Sequence, residues 1–293
     1  MDAEDKQHKD VKMKNAMTVD VEDYFQVAAF ENQVKVDDWG KFNLRAGDNT
    51  RKLLEMFSKH NVTSTFFMLG CVAERDPQLV KDIVAGGHEL ASHGYWHQKA
   101  FRQTPDAFFN DVDASKKLLE DLAGVEVKGY RAPSFSIDKR NEWAFDMLKK
   151  AGYTYSSSTY AVAHDHYGTP DWPTKPYMLD NGLWELPQAT IEKFGKRLPV
   201  GGGGYFRLFP LQLSQWFISQ FHEQHDHPYI FYFHPWEIDP EQPKIDGASA
   251  KSRFRHYVNL GKMEKKIESL CRSREWGSIA ETFDLPSLAG GKS

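Results

Sequence analysis

The stretch TSTFFMLGCVAERDPQLVKDIVAGGHELASH, residues 63–93, decides the fold class. Thr63–Leu69 is a β-branched and aromatic run closed by Gly70, which reads as a strand. Asp76–Pro77 has the form of a helix start, a side-chain cap followed by proline at the first helical position. Gly86–Gly87 has the form of a helix stop, and Glu89–Ser92 reads as the next short strand. Strand, helix and strand in this order make a βαβ unit with parallel strands.

The same rhythm continues outward. Upstream lie the apolar run Ala16–Val21 (AMTVDV) and a helix over Asn49–His60, with Leu53, Leu54 and Phe57 at helical spacing. Downstream come a long amphipathic helix over Thr104–Leu122, a strand over Val127–Ala132, a helix over Asn141–Lys150 and the segment Tyr153–Ser157. Residues 160–204 are rich in Gly, Pro, Asp and Tyr and read as a long loop excursion, interrupted by a strand candidate at Leu183–Leu186. Regularity returns with Tyr205–Phe209, the helix Leu211–Gln224, the strand Tyr229–Phe233 (YIFYF) and a last helix over Val258–Arg272. Seven or so units predict an α/β fold, a single distorted (β/α)7-type barrel with the excursion over the C-terminal face of its strands. Residues 1–15 read as a polar tail, and 16–293 as one barrel domain with a C-terminal helical extension. Gly201–Gly204 lacks the strand-to-helix context of a phosphate loop and reads as a flexible turn.

The chain has 293 residues, 40% hydrophobic and 27% charged, enough for one large core or two small ones. Its 37 basic and 41 acidic residues give a formal net charge of −4, against nucleic-acid binding, which calls for a basic excess or stripe. Aromatic residues at 14% exclude a disordered composition. No apolar run approaches the roughly 20 residues of a membrane span. Met1–Lys14 has no apolar signal-peptide centre, so the expected compartment is the cytoplasm. Cys71 and Cys271 make neither a metal-type pair nor a disulfide framework. The 12 histidines are the one compositional oddity.

In parallel α/β folds the reactive groups gather at the C-terminal ends of the strands. Four predicted ends carry charged or titratable residues: Asp20, Glu22 and Asp23 (TVDVEDY), His93 and His97 (SHGYWH), Arg131 (RAPSFS) and His234 (YFHPWE). One such residue alone fits a cap or a surface position; four sets at equivalent positions fit a catalytic face. The i, i+4 spacing of His93 and His97 puts both imidazoles on one face of a helical turn, which suits a single metal ion. A first-strand carboxylate would complete a two-His, one-carboxylate set with open positions for water and substrate. That carboxylate is Glu22 or Asp23, and the spacing leaves both open; Asp23 also suits a cap on the following segment. A second acid there is free to serve as general base.

The order TVDVED, SHGYWH, RAPSF, YFHPWE resembles the polysaccharide deacetylases of carbohydrate esterase family 4, the NodB type. Family members usually read T-F-D-D in the first motif, a two-histidine second motif, R-x-P in the third and a late catalytic histidine. The D-V-E-D form looks more like the subgroup holding certain peptidoglycan deacetylases and the metal-independent allantoinases. HPWE and the later RFRHYVNL resemble deacetylases of exopolysaccharide gene clusters. The resemblance spans roughly Met17 to His256. It implies Asp20 as general base, Arg131 as its partner, His234 as general acid, and a divalent metal, zinc by preference, on His93, His97 and Asp23 or Glu22. It implies an N-acetylated saccharide as substrate, a bacterial polysaccharide or its precursor, with no nucleic acid and no membrane span. Pro133, Tyr95 and Trp236 become the expected substrate-binding residues, and Trp96 and Trp172 further candidates for stacking on sugar faces.

Two departures stand out. Relatives read Y-D-S-S where this chain has Tyr155-Ser156-Ser157-Ser158, so an acid is missing at Ser156. Glu185 could substitute, although a structural salt bridge suits it better. The altered first motif also keeps a metal-independent amide or ureide hydrolase open, alongside an inactive carbohydrate-binding relative. His164-Asp165-His166 reads as an ordinary rim loop. Phe108–Phe109 and Trp216–Phe221 read as core rather than as sugar platforms.

Overall fold

The computed structural model describes residues 13–163 and 168–285; the tail residues 1–12 and the His164-Asp165-His166 cluster lie outside them. The strands are β1 (Asn15–Val21), β2 (Thr65–Met68), β3 (Glu89–Ser92), β4 (Gly129–Tyr130), β5 (Tyr155–Ser156), β6 (Tyr177–Met178), β7 (Trp184–Glu185), β8 (Thr190–Lys193), β9 (Lys196–Pro199), β10 (Ile230–Phe233) and β11 (Trp276–Gly277). The helices used below are α1 (Ala46–Lys59), α2 (Gly70–Arg75), α3 (Pro77–Ala85), α4 (Pro105–Ala123), α5 (Trp143–Lys150), α6 (Gly203–Leu208), α7 (Leu211–Gln224), α8 (Ala250–Tyr257) and α9 (Leu260–Ser273).

The strands run β10-β1-β2-β3-β4-β5-β7 as parallel neighbours, with β6 antiparallel on β7 and β11 beside the start of β1. This is the expected distorted barrel, found as a curled sheet. Its ends are bridged by single backbone hydrogen bonds through the segment that carries the β8–β9 hairpin. Gln188 N donates to Thr159 O (2.9 Å), Val200 N to Ala189 O (3.1 Å) and Tyr232 N to Gly201 O (2.9 Å). β1, β2 and β10 are buried along their whole length, as parallel strands covered on both faces must be. Each buried Val, Leu, Ile, Phe or Met contributes about 1.5–3 kcal/mol relative to exposure.

The local signals act as read from the sequence. Asp76 caps α3 by accepting from Leu79 N (3.1 Å), with Pro77 as its first residue, and Gly87 follows in the left-handed region (φ 77°). Thr104 caps α4, and Gly124 ends it at φ 68°. α2 and α8 were not legible: α2 is a six-residue helix inside the link expected after Gly70, and α8 has a mostly exposed, strongly charged sequence. Phe108 and Phe221 are core, as expected, whereas Trp216 is 41% exposed beneath Lys193. Among the described residues no helix is long and apolar enough to cross a membrane.

The glycine run is the main correction. Gly201, Gly202 and Gly203 are buried, and none of them has a positive φ. A Cβ at Gly201 would come 2.8 Å from Ile230 O, one at Gly202 2.7 Å from the Tyr232 hydroxyl, and one at Gly203 into the Glu237 carboxylate. The run is therefore a close approach to β10 that leads straight into α6, and not a flexible turn. Gly203→Ala is expected to destabilise the fold by about 1–3 kcal/mol through overpacking, read as a lower urea midpoint with an unchanged slope. An unaltered midpoint would show that the neighbours give way freely.

Candidate functional site

β1 ends by delivering Asp20 and Glu22 to one cavity, as strand alternation requires. The Arg131 guanidinium, fully buried, donates to Asp20 Oδ1 (2.7 Å) and Thr18 Oγ1 (2.8 Å) through Nη1. It also donates to Ser157 O (3.2 Å) through Nε and to Ser157 Oγ (3.2 Å) through Nη2. Asp20 is thus fixed by one oxygen, while Oδ2 lies 4.0 Å from His234 Nε2.

His93 follows β3 directly, its backbone N donating to Met68 O (2.9 Å). Its Nδ1 sits 2.8 Å from Arg131 O, an acceptor-only group, so Nδ1 carries the proton and Nε2 keeps its lone pair. Burial pushes the His93 imidazole down to about 4, which keeps it neutral. Residues 93–97 are not helical. Gly94 (φ 79°) and His97 (φ 52°) take left-handed conformations and fold the loop back, and Asp111 anchors it by accepting from Tyr95 N (2.8 Å). A non-glycine residue held at such a φ is strained, a cost that recurs at functional sites. The two histidines are therefore brought together by a folded-back loop and not by the helical turn that the i, i+4 spacing suggests.

Glu22, His93 and His97 each place a ligand atom within 4.8 Å of the others. Glu22 Oε2 is buried and lies 2.6 Å from His97 Nε2. With a neutral ligand imidazole both atoms present lone pairs, an arrangement that a shared cation satisfies. This two-nitrogen, one-oxygen set fits a divalent transition metal. Burial works to raise the Glu22 carboxyl, but His97 and His234 outweigh it and hold it well below the usual carboxylate range.

Asp23, left open as a ligand by the sequence, faces elsewhere. Its carboxylate accepts from Tyr24 N (2.9 Å), Arg45 N (2.5 Å) and Ala46 N (2.8 Å), so it sits on the first amides of α1. That full set of backbone donors leaves Glu22 as the carboxylate at the two histidines.

His234 ends β10. Its Nδ1 lies 2.8 Å from Glu237 Oε1, and Glu237 in turn accepts from Arg207 Nε (2.6 Å), both partners being buried. Burial lowers the His234 pKa, but Glu22, Glu237 and Asp20 together carry it up to about 9. Glu237 and Arg207 were not picked out as site residues. Only the i+3 position of Glu237 within HPWE could have flagged the first, and nothing in the sequence flagged the second. Glu237 thus sets a buried carboxylate directly beside His234.

Glu185 meets no cation among the described residues, against the expected salt bridge. Its Oε1 accepts from Ser158 N and Thr159 N (2.8 Å each) and from Thr159 Oγ1 (2.9 Å), and burial raises its pKa. It holds the loop that receives Arg131 on Ser157 and the Ala132 amide on Ser158 Oγ (2.9 Å).

The cavity of about 480 Å³ is walled by Ala28, Glu31, Ser134, Phe135, Ser252 and Arg255 around Asp20, Glu22, His93, His97 and His234. Of the three expected substrate-binding residues, Pro133 is buried and does not line it, and Tyr95 packs over Gly70. Trp236 lines the cavity, but its ring faces are stacked between His234 (5.2 Å) and His256 (4.1 Å), and its indole N–H donates to Glu22 Oε1 (3.3 Å). Trp172 packs on Phe145 in a separate hollow.

Residues 36–156 match the family model described as polysaccharide deacetylase, and residues 157–284 match a domain of unknown function, DUF3473. A peptidoglycan-N-acetylglucosamine deacetylase of Bacillus cereus is 35% identical over 96 residues, 32% of this chain and 35% of its own. A peptidoglycan deacetylase of Helicobacter pylori is 29% identical over 143 residues, 46% of each chain. The chain thus spans between a third and a half of the length of these relatives. A solved structure from Mycobacterium smegmatis, described as a candidate polysaccharide deacetylase, superposes with a TM-score of 0.61 at 18% identity, over 94% of this chain and 89% of that one. That likeness concerns the fold alone.

Proposed function

We propose that this chain, which carries a domain of the polysaccharide deacetylase family of carbohydrate esterase type 4, hydrolyses the N-acetyl amide of an amino sugar in a bacterial glycan or its precursor. The observation that carries the reading is the joining of Glu22, His93 and His97 with Asp20 and His234 around one cavity. Glu22, His93 and His97 would hold a divalent ion, with zinc favoured by the donor set. Such an ion, when bound, lowers the pKa of a coordinated water and polarises an acyl oxygen.

The protein's own groups divide the proton work. Asp20, oriented by Arg131, takes a proton from the attacking water through Oδ2. The water oxygen bonds to the acyl carbon as the C–N bond breaks. His234, its Nδ1 held by Glu237, offers a proton at Nε2 to the departing amine. Without that proton the amine is a very poor leaving group.

The reading is tested by metal analysis with acetate release from N-acetylated oligosaccharides, with and without chelator. One divalent ion per chain is expected, together with loss of activity on chelation and recovery when the ion is restored. His93→Ala is expected to lose metal affinity and activity together, each by at least about 10-fold, the loss expected even for the outer hydrogen-bond partner of a metal ligand. Full activity of metal-free protein would move the assignment to a metal-independent amide hydrolase.

A further inference from the structure

The β8–β9 hairpin turns through two residues, Phe194 and Gly195, between the paired Lys193 and Lys196. Both turn residues have positive φ, 55° and 68°, as a type I′ turn requires. Such a turn favours Asn-Gly, because asparagine tolerates the left-handed region and a bulky side chain does not. Phenylalanine here is a local cost, and packing does not offset it, since Phe194 is 90% exposed. The closing pair is a second local cost, because two lysines lie opposite each other across the hairpin and like charges there repel. Single exposed apolar side chains are ordinary. Two choices against the same turn are not, and such choices gather where a segment serves something other than the fold.

We propose that this tip docks on an anionic lipid surface, with Phe194 entering the headgroup layer and Lys193 and Lys196 meeting the lipid phosphates. The charges around the ring favour this occupant. Arg197 is taken up by Ala161 O (3.1 Å), Pro170 O (2.7 Å) and Glu192 (3.5 Å), so the two lysines carry the surplus positive charge of residues 192–197. Lys193 donates to the neutral Gln220 Oε1 (2.9 Å) and keeps its charge. Its Nζ stands 5.2 Å from the ring centre of Trp216 on α7, itself 41% exposed, an aromatic of the kind that settles at headgroup level. At a bilayer the phenyl ring can reach the acyl boundary while the ammonium groups stay wet among the phosphates. A protein pocket deep enough for the same ring would have to bury or pair both lysines. One ring and two lysines make a weak, reversible contact and not an anchor.

The test is flotation of the full chain with vesicles of phosphatidylcholine alone and of phosphatidylcholine mixed with phosphatidylglycerol. Wild type is expected to float with the anionic vesicles, less at raised salt, and not with the neutral ones. Phe194→Asn is expected to bind about 10–100-fold more weakly, the loss of one buried phenylalanine side chain. Its urea midpoint should be no lower than that of wild type, because asparagine suits the turn. Changing Lys193 and Lys196 together to Gln should weaken binding to anionic vesicles by about tenfold or more. No binding of wild type to anionic vesicles, or binding that Phe194→Asn leaves unchanged, overturns the proposal. A clearly lower urea midpoint in Phe194→Asn would give the ring a task in folding and overturn it as well. Lipid-free self-association in sedimentation velocity that Phe194→Asn abolishes would assign the tip to an interface between copies of the chain instead.

Discussion

Asp20→Asn is expected to lower acetate release by about 10²–10⁴-fold, the usual contribution of a general base, while one divalent ion stays bound. The two effects separate because Asp20 is not among the three clustered candidate ligands. Asparagine keeps the size of the side chain and an oxygen that can accept from Arg131 Nη1, so the local fold is retained. Its amide has no basic site to take a proton from water. Metal content measured beside the rate of acetate release decides the matter. Turnover that survives would place the base elsewhere, and a loss of metal along with turnover would make Asp20 a ligand.

Arg131→Met should unfold the protein more readily, by about 3–5 kcal/mol, because it leaves a buried carboxylate without its cation. Asp20 and Arg131 are 2% and 0% exposed, so water does not screen the loss. Thr18 Oγ1 and the Ser157 oxygens lose a donor in the same step. Chemical denaturation of Arg131→Met, Asp20→Asn and the double variant measures the coupling. The double variant should be more stable than the sum of the single losses implies, because neutralising Asp20 removes the stranded charge. Simple additivity would show that the pair is not energetically coupled.

Much of this was legible because buried parallel strands leave a strong trace. YIFYF and TSTFFML could hardly be anything else, and polar residues directly after such runs fall at the reactive face. That logic singles out Asp20, His93, His97, Arg131 and His234, which the fold brings together. What escaped was set by distant packing. Asp23 and Glu22 are neighbours, and only the arrival of the first turn of α1 at Asp23 assigns their separate tasks. The glycines at 201–203 looked pliable because their neighbours, Ile230, Tyr232 and Glu237, come from another strand and its turn. Arg207 reaches Glu237 across thirty positions, a distance no local pattern records. Trp236 looked like a platform, but its faces are covered by His234 and by His256, the latter brought there by α8.

The placement of β1 has a consequence for how the chain is made. Thr18 donates its hydroxyl to Phe231 O, 213 positions later (2.8 Å). The candidate metal ligands have all been synthesised by residue 97, yet one flank of β1 waits for β10. At roughly 5–20 residues per second, that wait lasts on the order of ten seconds or more. Throughout it, an apolar strand offers an unpaired edge to any other nascent chain. Yield of soluble protein should therefore depend on events that shield this edge during translation, such as slower growth temperature or chaperone supply, more than on the stability of the finished fold.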